Sequence, residues 1–211
     1  MFIRKIIYPI INFLSVRHIK THPPECYLSQ KSIRNYINNG NLLAWDLYNN
    51  SNNNWIKSNI YTIEHICPKS FLKKNRNSKY DLHNLGITDS FYNVHRSNYK
   101  YSDKSPVIYS LYKLNNNKIT IQINDNSNLD IKHYNYKNSA LKIFIPVESS
   151  RGEIARSILY MSNLYDNNIK IKLIDEKILH KWNIDYPPSK REKERNLQIF
   201  KLQGNINPFI F

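Results

Sequence analysis

Cysteine is nearly absent from this 211-residue chain. Only Cys26 and Cys67 occur, too few for a disulfide framework or a zinc site. They could pair, but nothing in their spacing demands it. Glycine is scarcer than its usual share, with four residues, and no glycine-rich nucleotide-binding loop is present. Acidic residues number 16 against 31 Lys and Arg. That imbalance leaves a formal charge of +15 and makes a polyanion, nucleic acid or an anionic membrane surface, the first partner to consider. A long hydrophobic run is also missing. The apolar segment from Ile6 to Val16, preceded by Arg4 and Lys5, is too short to span a bilayer comfortably. Residues 1–20 have the charged start and length of a signal peptide but lack a small-residue cleavage site. They read equally as a signal or anchor, or as a helix packed on the domain, so a secreted or membrane-associated protein and an intracellular one both stay open.

What the chain has in quantity is Asn, Ile, Lys and Tyr. The Asn clusters at 49–54 and 115–117 read as loops. The 16 Tyr, interleaved with Lys and Arg, suit base stacking, although many will be core. No internal repeat or linker divides the chain, so residues 21–211 are expected to form one domain. Residues 25–48 show helical spacing, with a break at Asn38-Asn39-Gly40. The alternating run 59–63 reads as a strand. A basic loop covers 69–80, and 81–85 is a short strand or turn. Thr88-Asp89 can cap a helix running to about Ser97. Strands are expected at Val107–Tyr112, Ile119–Ile123 and Leu141–Ile145. Ser150 and Glu153 have capping-box spacing ahead of an apolar helix. A helix covers about Asp175–Trp182, and Ser189 opens a last one that Gly204 ends.

The candidate chemistry sits at the end of the 59–63 strand, where Glu64-His65 precede Pro68. Proline forbids further ladder pairing. Neighbouring strand residues face opposite sides, so Glu64 and His65 share one centre only if the chain turns there. Cutting a phosphodiester requires a base to deprotonate water and a positive group to stabilise the phosphate. A neutral His suits the first task at pH 7. Glu64 offers an anionic oxygen ligand, and Asn93, on the 89–97 helix, an amide oxygen suited to Mg²⁺. Arg96 lies three residues on, shares Asn93's helix face and would point at the phosphate. A strand turn, a basic loop and a helix returning a ligand make a ββα-metal arrangement.

Five motifs in order then resemble the endonuclease I family, nonspecific nucleases of the His-Me finger (ββα-metal) class. They are Glu64-His65-x-x-Pro68, Asp81-Leu82-His83-Asn84-Leu85, Asn93-x-x-Arg96-Ser97-Asn98, Arg151-Gly152-Glu153-Ile154-Ala155-Arg156 with Tyr160-Met161, and Arg195-Asn196 with Gln203-Gly204-Asn205-x-Asn207-Pro208-Phe209. Together they cover about residues 55–211. The resemblance implies an α+β single domain with a ββα-metal core surrounded by helices. It implies one Mg²⁺, with Mn²⁺ or Ca²⁺ substituting in binding, held by Glu64 and Asn93, with His65 as general base. It implies cutting of double- or single-stranded DNA, and often RNA, to 5′-phosphate ends with little sequence preference. It also implies a basic residue from the loop after the Glu-His pair on the scissile phosphate. Arg76 is the candidate there, with Lys73 and Lys74 as competitors. Ile206 departs from the family's closing segment, where an Arg is usual, and the disulfides of many secreted members are missing.

Around that core, His95, Arg151 and Arg156 are candidate nucleic-acid contacts. A structural ion-pair network is the alternative for the two arginines. Lys190, Arg191, Lys193 and Arg195 read as a solvated helix face or as part of an electrostatic track. His83 and Asp81 read as loop-holding residues, and Cys67 as a small buried residue. No obligate protein partner is evident and a monomer is expected. A packaging protein on an inactive nuclease scaffold, or a site-specific cutter of the homing type, would carry similar motifs.

Overall fold

The computed structural model describes residues 24–49, 61–72, 77–106, 108–114, 117–123, 130–166 and 168–211, and side chains within these outside 112–123. Segment 1–20 and the loop residues Lys73, Lys74 and Arg76 lie outside the described residues.

The architecture is α+β. Helix α1 (Gln30–Asn38) is capped by the Ser29 side chain, which accepts from the Ser32 amide. It stops at Gly40, whose φ of +72° only glycine adopts readily. Residues 42–48 are not helical, contrary to their spacing. Leu42 and Leu47 are buried in two different clusters. The segment runs alongside a strand, Leu47 donating to the Ile87 carbonyl at 2.9 Å. Apolar periodicity here records two burial sites on one irregular segment, not one helix face.

Strands β1 (Tyr61–His65) and β2 (Leu85–Asp89) form an antiparallel pair with Glu64 opposite Gly86. Helix α2 (Ser90–Arg96) follows directly, with Asp89 as its cap, its carboxylate accepting from the Phe91 amide. Two strands and a helix therefore close into a ββα unit; the first strand and the helix lie where the sequence predicts, and β2 starts at the end of the 81–85 stretch read as a short strand or turn. The link between the strands carries short 3₁₀ turns at 69–71, 78–80 and 82–84. Tyr61, Leu85 and Ile87 bury one side of the pair against Ile33 and Ile37 of α1 and Ile199.

A second sheet has the order β3-β7-β6-β4-β5, built from β3 (Lys100–Tyr101), β4 (Ile108–Leu114), β5 (Asn117–Ile123), β6 (Asn135–Asn138) and β7 (Ile143–Ile145). The three strands expected here are β4, β5 and β7; β3 and β6 are additional. Helix α3 (Glu148–Leu164) runs through the largest core with Ile154, Ala155, Ile158 and Met161 fully buried. It begins before the expected capping box. Ser150 lies inside it and donates to the Leu47 carbonyl, so the hydroxyl ties α3 to the 42–48 segment. Helix α4 (Asn168–Leu173) was not expected. Helix α5 (Glu176–Asp185) is capped by Asp175, and α6 (Lys190–Gln203) by Ser189 at its start and Gly204, at φ +82°, at its end. No helix among the described residues is long and apolar enough to cross a membrane.

Candidate active site

Alternation along β1 places Thr62 and Glu64 on the same face. Helix α2 lies against that face and meets it twice. The Asn93 amide nitrogen donates to Thr62 Oγ1 at 2.9 Å and to the Ile63 carbonyl at 3.2 Å. One turn on, Arg96 Nε stands 3.4 Å from Glu64 Oε1. Helix residues three apart thus pair with strand residues two apart, which puts Asn93 and Arg96 on the strand face that carries Glu64. With two acceptors fixing the NH₂ of Asn93 on β1, its Oδ1 faces away, and no described residue donates to it.

Glu64 is buried. Tyr48 donates to its Oε1 at 2.9 Å, and the Tyr48 hydroxyl in turn lies 2.9 Å from that of Tyr101. Burial raises the carboxyl's pKa, and Arg96 and Tyr48 oppose the rise. Burial thus disfavours the charged carboxyl, and Arg96 is the cation set against it. Neither tyrosine is legible as a site residue from sequence, because both read as core aromatics.

Arg96 does not point at a surface. It is 1% exposed, with its guanidinium 4.6 Å above the Tyr101 ring. It donates to the carbonyls of His65 at 3.3 Å, of Ser97 at 2.9 Å, and of Ile66. The expected phosphate contact is corrected to an internal role: Arg96 fixes the Glu64 carboxylate and the turn that carries the chain out of β1.

His65 ends the strand with its ring toward the 78–80 turn. Its Nε2 is 2.9 Å from the Lys79 carbonyl. A carbonyl only accepts, so the proton sits on Nε2 and the Nδ1 lone pair is left available. Burial, then the positive charge of Lys69, lowers the imidazole pKa to about 4, so the ring is neutral at pH 7. The turn beyond it is held by Asn84, whose amide accepts from the Cys67 N–H at 2.7 Å and donates to the Cys67 carbonyl at 3.1 Å. The side chain thereby continues the ladder that Pro68 interrupts. Cys67 is fully buried and its thiol pKa is pushed up by burial, which makes it a packing residue, as expected.

Asp81 is completely buried and accepts four hydrogen bonds. Tyr160 and Tyr165 donate to Oδ2, each at 2.8 Å, and the His83 amide and Gln203 to Oδ1. Gln203 also accepts from the Leu82 amide, and Asn205 donates to Tyr160. The closing motif of the chain is thus the lock that holds the 81–85 turn under β2. The His83 ring approaches the Asn205 carbonyl at 3.3 Å and is likewise loop-holding.

The remaining nucleic-acid candidates divide. Arg156 is buried and forks onto Glu192 at 2.6 and 2.7 Å, with a third bond to the Tyr186 carbonyl. Arg151 is buried over the Trp182 ring at 5.1 Å and donates to the Pro146 carbonyl. Both are corrected from nucleic-acid contacts to internal struts, since neither guanidinium reaches solvent. Arg195 is also turned inward, onto the carbonyls of Leu43, Leu82 and Leu85. His95 is half-buried, packed edge-on to Phe91 at 4.5 Å, with Lys137 Nζ 2.7 Å from its Nδ1. No group of three or more His, Cys, Asp or Glu among the described residues could hold a metal. A site here draws instead on one carboxylate and one amide.

The family model for Endonuclease I matches residues 25–211. The chain is 33% identical over 132 residues to an extracellular deoxyribonuclease of Aeromonas hydrophila, covering 62% of this chain and 48% of that protein. It is 32% identical over 139 residues to Endonuclease-1 of Buchnera aphidicola subsp. Acyrthosiphon pisum, covering 66% and 47%. A periplasmic deoxyribonuclease of A. hydrophila is 45% identical over 60 residues, 28% of this chain and 24% of that protein. These matches span about half or less of the relatives' length.

Proposed function

This chain belongs to the endonuclease I family, and on that premise we propose that it is a metal-dependent endonuclease that hydrolyses phosphodiester bonds of DNA with little sequence preference, leaving 5′-phosphates. The family implies a Mg²⁺ ion. The donor set fits it: Glu64 supplies a buried carboxylate, and Asn93 an amide oxygen not engaged by the two bonds its NH₂ makes to β1. These two residues would hold the cation. When bound, it supplies charge stabilisation at the scissile phosphate and at the leaving oxygen.

The chain's own residues do the rest. His65 takes the proton of the attacking water at Nδ1 while Nε2–H stays on the Lys79 carbonyl. That bond fixes both ring orientation and tautomer, so no reorganisation is needed at the moment of transfer. Arg96 holds Glu64 and the His65–Ile66 carbonyls in place. The single observation carrying the proposal is the imidazole held in one tautomer by the Lys79 carbonyl, one residue along β1 from Glu64. RNA cutting is part of the same proposal, because a single cation and a base act on the phosphate and ignore the sugar.

The test compares the parent protein with His65→Ala on plasmid DNA, with Mg²⁺ and with chelator. Cleavage that stops with chelator and falls about 10²–10⁴-fold in the variant, while DNA binding persists, supports the reading. Undiminished cutting by His65→Ala rejects it. Binding without cleavage by the parent protein marks a packaging protein on a nuclease scaffold instead.

A further inference from the structure

Next to His65 the surface opens into a groove of about 600 Å³. Its walls include Lys69, Lys79, Tyr80, Tyr27 and the start of α1 at Ser29. None of the described residues lining it is acidic. Lys79 is the residue whose carbonyl holds His65, and Lys69 is the cation that acts most strongly on the imidazole. The groove and the proposed base therefore share two residues. The Lys79 ammonium lies 4.8 Å from the centre of the Tyr80 ring, which holds it at the wall. Tyr27 is anchored from behind, its hydroxyl 3.2 Å from that of Tyr165, which donates to Asp81. Paired cations with an anchored aromatic wall match the two halves of a nucleotide, phosphate and base.

We infer that this groove seats the nucleic-acid strand beside the bond to be cut, with Lys69 and Lys79 each on a backbone phosphate and Tyr27 against a base. The inference deepens the nuclease reading and rests on it. It moves phosphate binding away from the arginines of α2 and α3, which are turned inward, and onto two lysines that no motif singles out. Lys69 follows Pro68 directly, so the turn after His65 also places a lysine on the groove wall.

The experiment measures binding of a labelled DNA duplex by the His65→Ala chain across a salt series. Lys69→Ala/Lys79→Ala is compared with Lys172→Ala/Lys177→Ala, an exposed pair of equal charge on α4 and α5 that does not line the groove. Each lost phosphate contact should lower the slope of log K against log salt by about 0.9. The groove pair is therefore expected to reduce the slope by nearly ~2 and to weaken binding ~10–100-fold. The control pair leaves the slope unchanged. Lys69→Gln/Lys79→Gln keeps the side-chain stems and gives the same reading should the alanine pair fold poorly. Equal slopes for the groove and control pairs overturn this inference alone. Absence of DNA binding by the His65→Ala parent overturns the nuclease reading with it.

Discussion

Arg96→Met is the most discriminating change in this protein. A guanidinium in the heart of a proposed nuclease site invites a catalytic role, yet every direction it reaches is internal. It faces Glu64 Oε1 at 3.4 Å and donates to three carbonyls, with 1% exposure. Methionine fills similar space without charge or donors. It leaves a buried carboxylate without its cation, and loss of one partner of a buried pair costs about 3–5 kcal/mol. That is a fifth or more of the stability of a typical domain, about 5–15 kcal/mol. The expected drop in Tm is on the order of 10 °C, with a matching fall in the urea midpoint at unchanged slope. Arg96→Lys keeps the charge but not the fork, and should lie between the two. The assay is paired: urea unfolding, and cleavage at a temperature where the variant remains folded. If Arg96→Met unfolds within about 1 kcal/mol of the parent while turnover collapses, the guanidinium acts on the substrate and the internal-strut reasoning fails.

The His65 imidazole should titrate near pH 4 by NMR, as the resonance missing from His65→Ala; a midpoint near 6.5 would show that burial does not act on it as described. The linked stability effect has a definite sign. The unfolded chain binds that proton below about 6.5 and the fold only below about 4, so the stability contribution is present above 6.5 and lost as pH falls between the two values. His83, also depressed to about 4, adds to it, whereas Asp46 and Glu153, raised by burial to about 6 and about 7, work the other way. Gly152→Ala should destabilise by roughly 1–3 kcal/mol in thermal unfolding, because a Cβ there would stand 2.2 Å from the Tyr186 carbonyl oxygen; an unchanged Tm would mean that α3 can move away from that loop at no cost.

The ββα unit was legible because its signals are local. A strand pattern, a proline stop and an aspartate cap each follow from a few neighbouring residues, and β1 and α2 form beside them, whereas β2 lies at Leu85–Asp89, starting at the end of the 81–85 stretch that reads as a short strand or turn. The same holds for α6, bounded by Ser189 and Gly204. Legibility failed where burial is shared between distant partners. Leu42 and Leu47 have helical spacing, but the first packs with α1 and the second with the core around α3. Ser150 has the right offset from Glu153 for a cap, yet its hydroxyl finds the Leu47 carbonyl 103 residues away. Strands β3 and β6 are two and four residues long and are specified by their ladder partners more than by their own composition.

Charge is the sharpest instance of this limit. In sequence, Arg96, Arg151, Arg156 and Lys69 are equivalent cations in a chain of net charge +15, and motif membership favours the three arginines for contact with a polyanion. The fold sorts them by what each head group can satisfy. A guanidinium has five donors in a planar fork, so it can be buried when carbonyls and a carboxylate surround it. Arg96 and Arg156 meet that condition. A lysine ammonium is strongly hydrated and stays at the surface unless paired, and Lys69 is exposed. Of the motif arginines, Arg96 holds the backbone after β1, and Arg151 and Arg156 tie α3 to its neighbours. Among the described residues, Lys69 and Lys79 are cations that the folded wall of the groove, not a motif, brings to notice.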